Sequence, residues 1–305
     1  MLPAAPMIVP TEVFARVPDR LRMGGRRSPW AETHRPGAAT DCFLEGPAFD
    51  IHGTLYLVDV AWGRIFRVDP QGRFDLCAEY DGNPNGLAIH RDGRILIADF
   101  SRGILLLDPQ GGGVTPLVEG HRGRPFHGVN DLVFAENGDL YFTDQGLSGL
   151  HDPFGRLFRL RADGELQTVL ERIPSPNGLA IDPAGRTLFL AVTRDNAVWR
   201  VPLSPEGEAY KVGAFIRLSG GIGPDGMALD AEGGLAVAHI GLGVVWHFDA
   251  QGEPRARIAS CAGRATTNVA FGGADRRTLF ITESETGQVL TARMPVPGLT
   301  PFSHS

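Results

Sequence analysis

Six segments of this 305-residue chain repeat one pattern at near-constant spacing, and that repetition restricts the fold more than any other feature. They begin at Glu45 (EGPAFDIHGTLYLVD), Asn85 (NGLAIHRDGRILIAD), Asn130 (NDLVFAENGDLYFTD), Asn177 (NGLAIDPAGRTLFLA), Asp225 (DGMALDAEGGLAVA) and Asn268 (NVAFGGADRRTLFIT). Successive starts lie 40, 45, 47, 48 and 43 residues apart, the length of one four-stranded propeller blade. Each copy is a polar residue, a short apolar run, a Gly-containing turn and a second apolar run. Two further strand-like runs separate the copies, as in GRIFRVDPQGRFDLCAE (63–79) and GRLFRLRADGELQTVLE (155–171), whose DPQG and ADGE turns suit tight hairpins.

A solenoid of helical repeats does not fit, because the runs are short, rich in β-branched and aromatic residues, and punctuated by glycine. The 40 Gly and 23 Pro agree with many tight turns. The pattern predicts an all-β, six-bladed β-propeller with four-stranded blades, occupying residues 1–305 as one domain with a central metal channel. Closing six blades into a ring removes the exposed edges an open stack would leave. Thr11–Val17 (TEVFARV) and Gly287–Met294 (GQVLTARM) are expected to share a blade and lock that ring.

The net charge of −6 argues against a nucleic-acid partner, which would need clustered Lys and Arg; Arg20–Arg27 is short and reads as solvated surface. Cys42, Cys77 and Cys261 are odd in number and widely spaced, so neither a disulfide framework nor a Cys-based zinc site is indicated. Free thiols fit a reducing compartment. The N-terminus carries no signal-peptide pattern, and nowhere do 18 apolar residues run together. The expectation is a cytoplasmic protein with no membrane partner, monomeric or a small homo-oligomer. The GH…WD signature of protein-interaction propellers is absent.

In a propeller the first strand of each blade lines the channel and the second returns antiparallel to it. The start of the first and the end of the second therefore share a face. That places Glu45, Asn85, Asn130, Asn177, Asp225 and Asn268 around one mouth, in register with Asp59, Asp99, Asp144, Thr193, His239 and Thr282. Asn or Asp at the first position can cap a turn, but the Glu at position 45 has no turn role. Six converging oxygen groups, two of them anionic, would repel one another without a cation. Hard oxygen donors select Ca²⁺, with Mg²⁺, Mn²⁺ or Zn²⁺ as alternatives, and the amides favour Ca²⁺.

The fragments EGP (45–47), VND (129–131), LYFTD (140–144), SPNGLAID (175–182) and GPDGMALD (223–230) resemble the senescence marker protein/gluconolactonase/luciferin-regenerating enzyme family, which includes regucalcin. The likeness spans about residues 40–290 with the motifs in order. These are six-bladed calcium propellers, and the wording of the third to fifth copies is nearest the drug-responsive lactonase branch. The resemblance implies Glu45, Asn177 and Asp225 as metal ligands, and Asn130 as a residue that approaches the metal or the substrate. In sugar lactonases an Arg stands two residues before that Asn; here the position is Gly128, which speaks against aldonolactones. Phe126, Phe154, Leu147 and Leu150 are candidates for a more apolar pocket.

The implied reaction is metal-dependent opening of a small-molecule lactone or ester at the channel mouth, with the cation as Lewis acid. Asp225, the sole Asp among the six first positions, is the candidate base or nucleophile, with Asn130 beside it. A water activated by Asp225 or Asp144 is equally compatible. His127, Asp144 and His239 are candidate substrate contacts, His151 lies near them, and HDPFG (151–155) is a candidate lid. Two alternatives share the ligand ring: hydrolysis of a phosphorus ester, as in the similar diisopropyl-fluorophosphatase propellers, and a non-catalytic calcium- or metabolite-binding propeller.

Overall fold

Strands that bury both faces read as continuous apolar runs rather than alternating ones. LYLVD (55–59), ILIAD (95–99) and LYFTD (140–144) are buried at every position. The computed structural model, which describes residues 5–305, shows the cause. Six antiparallel sheets form a ring, and the innermost strand of each touches the innermost strand of the next. Alternate residues of a second strand then enter opposite interfaces. Ile95 and Ile97 pack with Tyr56, Val58 and Ile65 of the first blade. Leu96 and Ala98 pack with Leu132, Leu140 and Phe142 of the third. The apolar core is thus divided among the boundaries between blades.

The innermost strands are Leu44–Phe49, Pro84–Ile89, Val129–Phe134, Pro176–Ile181, Gly223–Leu229 and Thr266–Gly272. Each hairpins into its second strand through the Gly turns seen in the repeats. In the DPQG turn of the first blade, Gly72 takes φ 77° while the Asp69 carboxylate accepts the N–H groups of Gln71 and Arg73. The ring closes as expected: Glu12–Arg16 adds antiparallel to Gln288–Arg293, pairing Glu12 with Thr291 and Arg16 with Gln288. The preceding segment, Met7–Pro10, was not anticipated. It lies parallel on Pro254–Ala259 and gives the fifth blade a fifth strand. One N-terminal stretch therefore covers the outer edges of two adjacent blades, edges that would otherwise be open to pairing.

All six innermost strands carry a register irregularity near their start: between Glu45 and Ala48, Pro84 and Gly86, Val129 and Leu132, Pro176 and Leu179, Pro224 and Met227, and Thr266 and Asn268. A bulge at the mouth of each strand re-aims the side chains there. It also corrects the expected register. Asp59, Asp99, Asp144 and His239 pair with Leu44, Pro84, Val129 and Pro224, each one residue before the expected mouth position. Pro176 faces Val192, one residue short of Thr193, whereas Asn268 faces Thr282 as expected. The three cysteines are unpaired. Among the described residues no helix is long and apolar enough to cross a membrane.

Candidate metal and substrate site at the channel mouth

The ring brings Glu45, Asn85, Asn130, Asn177 and Asp225 together on a pocket of about 420 Å³ at one end of the channel. All five side chains are buried. The Asn amides are oriented through their nitrogens. Asn85 Nδ2 donates to the Asn130 carbonyl (3.1 Å), Asn130 Nδ2 to Gln145 Oε1 (3.0 Å) and Asn177 Nδ2 to Thr193 Oγ1 (3.2 Å). Gln145 is itself tied to Ser175 Oγ (3.0 Å), and Thr193 to the Pro224 carbonyl (2.8 Å). Asn130 Oδ1 is left buried without a hydrogen-bond partner. An orphaned buried acceptor is costly in a folded protein, and a cation at the mouth would satisfy it.

Asn268, the sixth expected member, sits one register step deeper. Its Nδ2 donates to Glu45 Oε2 (2.9 Å), which also accepts the Gly46 N–H (2.9 Å). In the structure Asn268 matches Asp131 of the third blade, and each accepts the N–H of its successor through Oδ1, Val269 at 2.8 Å and Leu132 at 2.9 Å. The third and sixth blades face each other across the ring, so Asp131 and Asn268 meet side chain to side chain on the axis. Four other blades have glycine at this step. A Cβ on Gly226 would lie 1.9 Å from Asn268 Oδ1, and one on Gly86 would lie 2.6 Å from Asp131 Oδ1. The glycines make the space that the Asp131–Asn268 septum fills.

Asp131 was missed in the sequence, although the signal was present as an Asp where four copies read Gly. Its consequence is electrostatic. Burial pushes the Asp131 carboxyl up to about 7. Burial, and then the charge of Asp131, push Asp225 up to about 8, with the Asn177 amide and Arg194 opposing. Glu45 is raised well above the carboxylate range by burial, then by Asp225. Three acidic groups in one dry place resist ionising together, and a dication would relieve all three. No three His, Cys, Asp or Glu side chains among the described residues stand close enough to hold an ion by themselves. An ion here needs the amide oxygens, and the donor set of Glu45, Asn130, Asn177 and Asp225 fits a hard cation.

Other expected site residues lie elsewhere. Asp144 is fully buried and accepts the N–H groups of His127 and Gly128 (both 2.8 Å) while pairing with Arg156 Nε (2.9 Å). Asp59 does the same with Phe43 N (2.8 Å) and Arg64, and Asp99 with Asn83, Ser101 and Arg102. The strand-end carboxylates are clasps that hold the incoming chain, saturated by backbone donors and turned from the pocket. His239 is buried, with Nε2 against the Gly220 carbonyl (3.0 Å) and Nδ1 accepting from Trp246 Nε1 (3.2 Å), so no ring nitrogen is left for a substrate. His127 is exposed beside Phe154, outside the mouth lining, and His151 is exposed on its loop. Phe126 packs edge-on against Phe142 and Phe158 in the core, and Leu147 and Leu150 face solvent. HDPFG turns back on itself through a Gly149–Asp152 bridge and contributes nothing to the pocket.

The apolar wall comes instead from a segment to which the repeats assigned no role. Ser28 caps a short helix, Pro29–His34, accepting the Ala31 N–H (3.2 Å) and donating to the Ala61 carbonyl (2.7 Å). A Ser–Pro start is a helix signal, so this element was legible locally; its place over the mouth was not. Trp30 stacks on His34 at 4.7 Å, and Phe100 meets His34 edge-on at 5.0 Å. His34 Nδ1 donates to the Trp30 carbonyl (2.9 Å), and burial depresses its pKa, leaving a neutral ring. Phe100 also explains Gly128: a Cβ there would lie 2.5 Å from the Phe100 ring, so that position is closed to an arginine.

Comparison with known proteins places the chain in a family and supports the fold. Residues 43–285 match the family described as the SMP-30/Gluconolactonase/LRE-like region. The chain is 31% identical over 242 residues to lactonase drp35 of Staphylococcus aureus, covering 75% of this chain and 72% of that protein. It superposes on a regucalcin, a calcium-binding protein from Agrobacterium tumefaciens, with TM-score 0.78, 24% identity and coverage of 99% and 100% of the two chains. A gluconolactonase from Xanthomonas campestris gives TM-score 0.74 at 24% identity, covering 96% and 99%. At those identities the two structures speak for the fold, whereas the family match and the drp35 relationship speak for descent. This chain belongs to the SMP-30/gluconolactonase/LRE-like family.

Proposed function

We propose that this protein is a divalent-metal-dependent lactonase that opens a small-molecule lactone in the mouth pocket, with Ca²⁺ as its ion. Family membership and the lactonase named among its relatives support a lactone-hydrolysing enzyme. The observation that carries the reading is the convergence of Glu45, Asn130, Asn177 and Asp225 on one pocket, with Asn130 Oδ1 buried and unpartnered. These four residues would hold the ion, which when bound supplies Lewis-acid polarisation of an ester carbonyl.

The remaining chemistry belongs to the chain. In hydrolysis the attacking water forms a C–O bond to the carbonyl carbon, the ring C–O bond breaks, and the leaving oxygen takes up a proton to give a hydroxy acid. An Asp225 carboxylate oxygen is the base that accepts the water proton. Gln145 and Thr193 hold the Asn130 and Asn177 amides in place, so the donor set needs little reorganisation on binding. Trp30, Phe43 and Phe100 form an apolar side that limits water around the ring atoms. The closure of Gly128 against Phe100 removes the arginine that reads sugar hydroxyls, which favours lactones poorer in hydroxyl groups. The test is turnover of a panel of γ- and δ-lactones, aromatic ones included, with EDTA and metal add-back. Loss on chelation and recovery with Ca²⁺ are expected; activity untouched by thorough chelation overturns the reading.

A further inference from the structure

The rim of the mouth carries three arginines that stand outside the set of residues assigned to the ion and the ester chemistry. Arg35 comes from the segment after the short helix, Arg194 from the turn after the fourth blade's second strand, and Arg264 from the approach to the sixth blade. All three line the mouth pocket. In a chain of net charge −6, three arginines from three separate elements line one opening. Arg194 acts on the deeper Asp225 through its charge without a salt bridge, and the carboxylates of Asp195 and Glu285 are engaged elsewhere. Asp195, next to Arg194, accepts from Trp199 Nε1 (2.8 Å) and faces Arg217 (3.5 Å). Glu285, the one acidic residue on the rim, accepts the backbone N–H of Arg264 (2.7 Å) rather than a guanidinium. Arg35 rests over the Phe43 ring at 5.2 Å. Among the described residues, none of the three guanidiniums forms a salt bridge. Glu45 and Asp225 lie deeper in the same pocket, where a bound dication would neutralise them.

We propose that the rim of Arg35, Arg194 and Arg264 is an oxyanion-binding subsite, so that the preferred substrate is a lactone carrying a carboxylate or phosphate substituent on a compact apolar ring. This rests on the lactone-hydrolase reading for its chemistry and goes beyond it in naming the substrate class. The planar fork of arginine suits carboxylate and phosphate oxygens. In a cleft with low-dielectric walls, such charges also raise the local concentration of an anionic ligand. The ester would sit among the four metal-site residues, the ring against Trp30 and Phe100, and the anionic substituent at the rim.

The experiment compares kcat/KM on matched lactones: γ-butyrolactone, the same ring with a carboxymethyl group, and the same ring with a phosphonomethyl group. The wild type should prefer an anionic form at least tenfold, and the arm with the larger gain identifies the oxyanion. The anionic-to-neutral ratio should fall at least tenfold in Arg194→Gln and Arg264→Gln, fall further in Arg264→Glu, and survive in part in Arg194→Lys. Calorimetry with tetrahydrofuran-2-carboxylate, which has the ring and the charge but no ester, provides a readout independent of turnover. Arginine-dependent binding of that probe without hydrolysis of any lactone upholds the anion subsite and defeats the lactonase reading. Hydrolysis with no anionic preference, and a ratio unmoved by the substitutions, defeats the subsite and leaves the lactonase reading standing.

Discussion

The two ends of the channel are built from the same six strands yet differ in kind. At the mouth the strand starts present Glu45, Asn130, Asn177 and Asp225 to a pocket of about 420 Å³ whose facing wall is aromatic. At the far end the same strands present Leu87, Leu179, Met227 and Val269 to a smaller space of about 230 Å³, closed by the C-terminal residues Leu299–Ser303. Phe302 stacks on Phe134 at 5.0 Å and lies under the Arg91 guanidinium, and Ser303 Oγ donates to the Phe49 carbonyl (3.2 Å). The Asp131–Asn268 septum lies between the ends and belongs to the lining of the far one. One end spends folding energy on holding unpaired oxygens together, and the other recovers stability by apolar burial.

The largest expected effect tests the mouth alone. Asp225→Asn should lower kcat at least 10²-fold, on the order of 3 kcal/mol as for loss of one oxyanion-stabilising donor, while thermal unfolding with EDTA present stays where it was or rises. The far end should show the opposite signature. Phe302→Ala is expected to destabilise by about 3 kcal/mol, seen in urea unfolding, with Ca²⁺ affinity unchanged in calorimetry. If Phe302→Ala also abolishes Ca²⁺ binding, the ends are not independent.

Between the ends, Gly226→Ala places a Cβ against the Asn268 amide. Overpacking of this kind costs about 1–3 kcal/mol, and here Ca²⁺ affinity should drop with stability, because Asn268 holds Glu45. Asp131→Asn should weaken Ca²⁺ binding about tenfold, or about 1.4 kcal/mol, yet stabilise the metal-free protein at pH 8. The pH profile reads the same carboxylates without a substitution. Asp131 and Asp225 titrate near 7 and 8 when folded, above the ordinary carboxylate value of about 4. The folded metal-free chain therefore holds protons that the unfolded chain has released. Its stability should decline as pH rises from about 4 to 8, and saturating Ca²⁺ should flatten the decline. A metal-free protein that gains stability over that interval would rule out the crowded-carboxylate account.

Much of this was legible in the chain. Repeats at Glu45 through Asn268 define the blade count, and TEVFARV with GQVLTARM closes the ring as read. Strand polarity placed Glu45, Asn85, Asn130, Asn177 and Asp225 at the mouth, and the family resemblance singled out four of them as candidates to hold an ion. What escaped turned on single-residue register. Because side chains alternate with period two, one bulge exchanges what faces the channel and what faces the sheet. Asn268 thus sits a step below its expected place, Asp131 joins it on the axis, and strand ends such as Asp144 and His239 pair one residue before the mouth positions, with Val129 and Pro224.

The amino-acid sequence by itself determined the ring and its closure, since these depend on repeat length, polarity and local turn chemistry. Only the tertiary structure decided which donors meet. The septum across opposed blades, the saturation of Asp144 and His239 by neighbouring groups, and the placement of Trp30 and His34 over the mouth are contacts between residues distant in the chain. Their distances are set by how six twisted sheets pack around one axis, which no local pattern encodes.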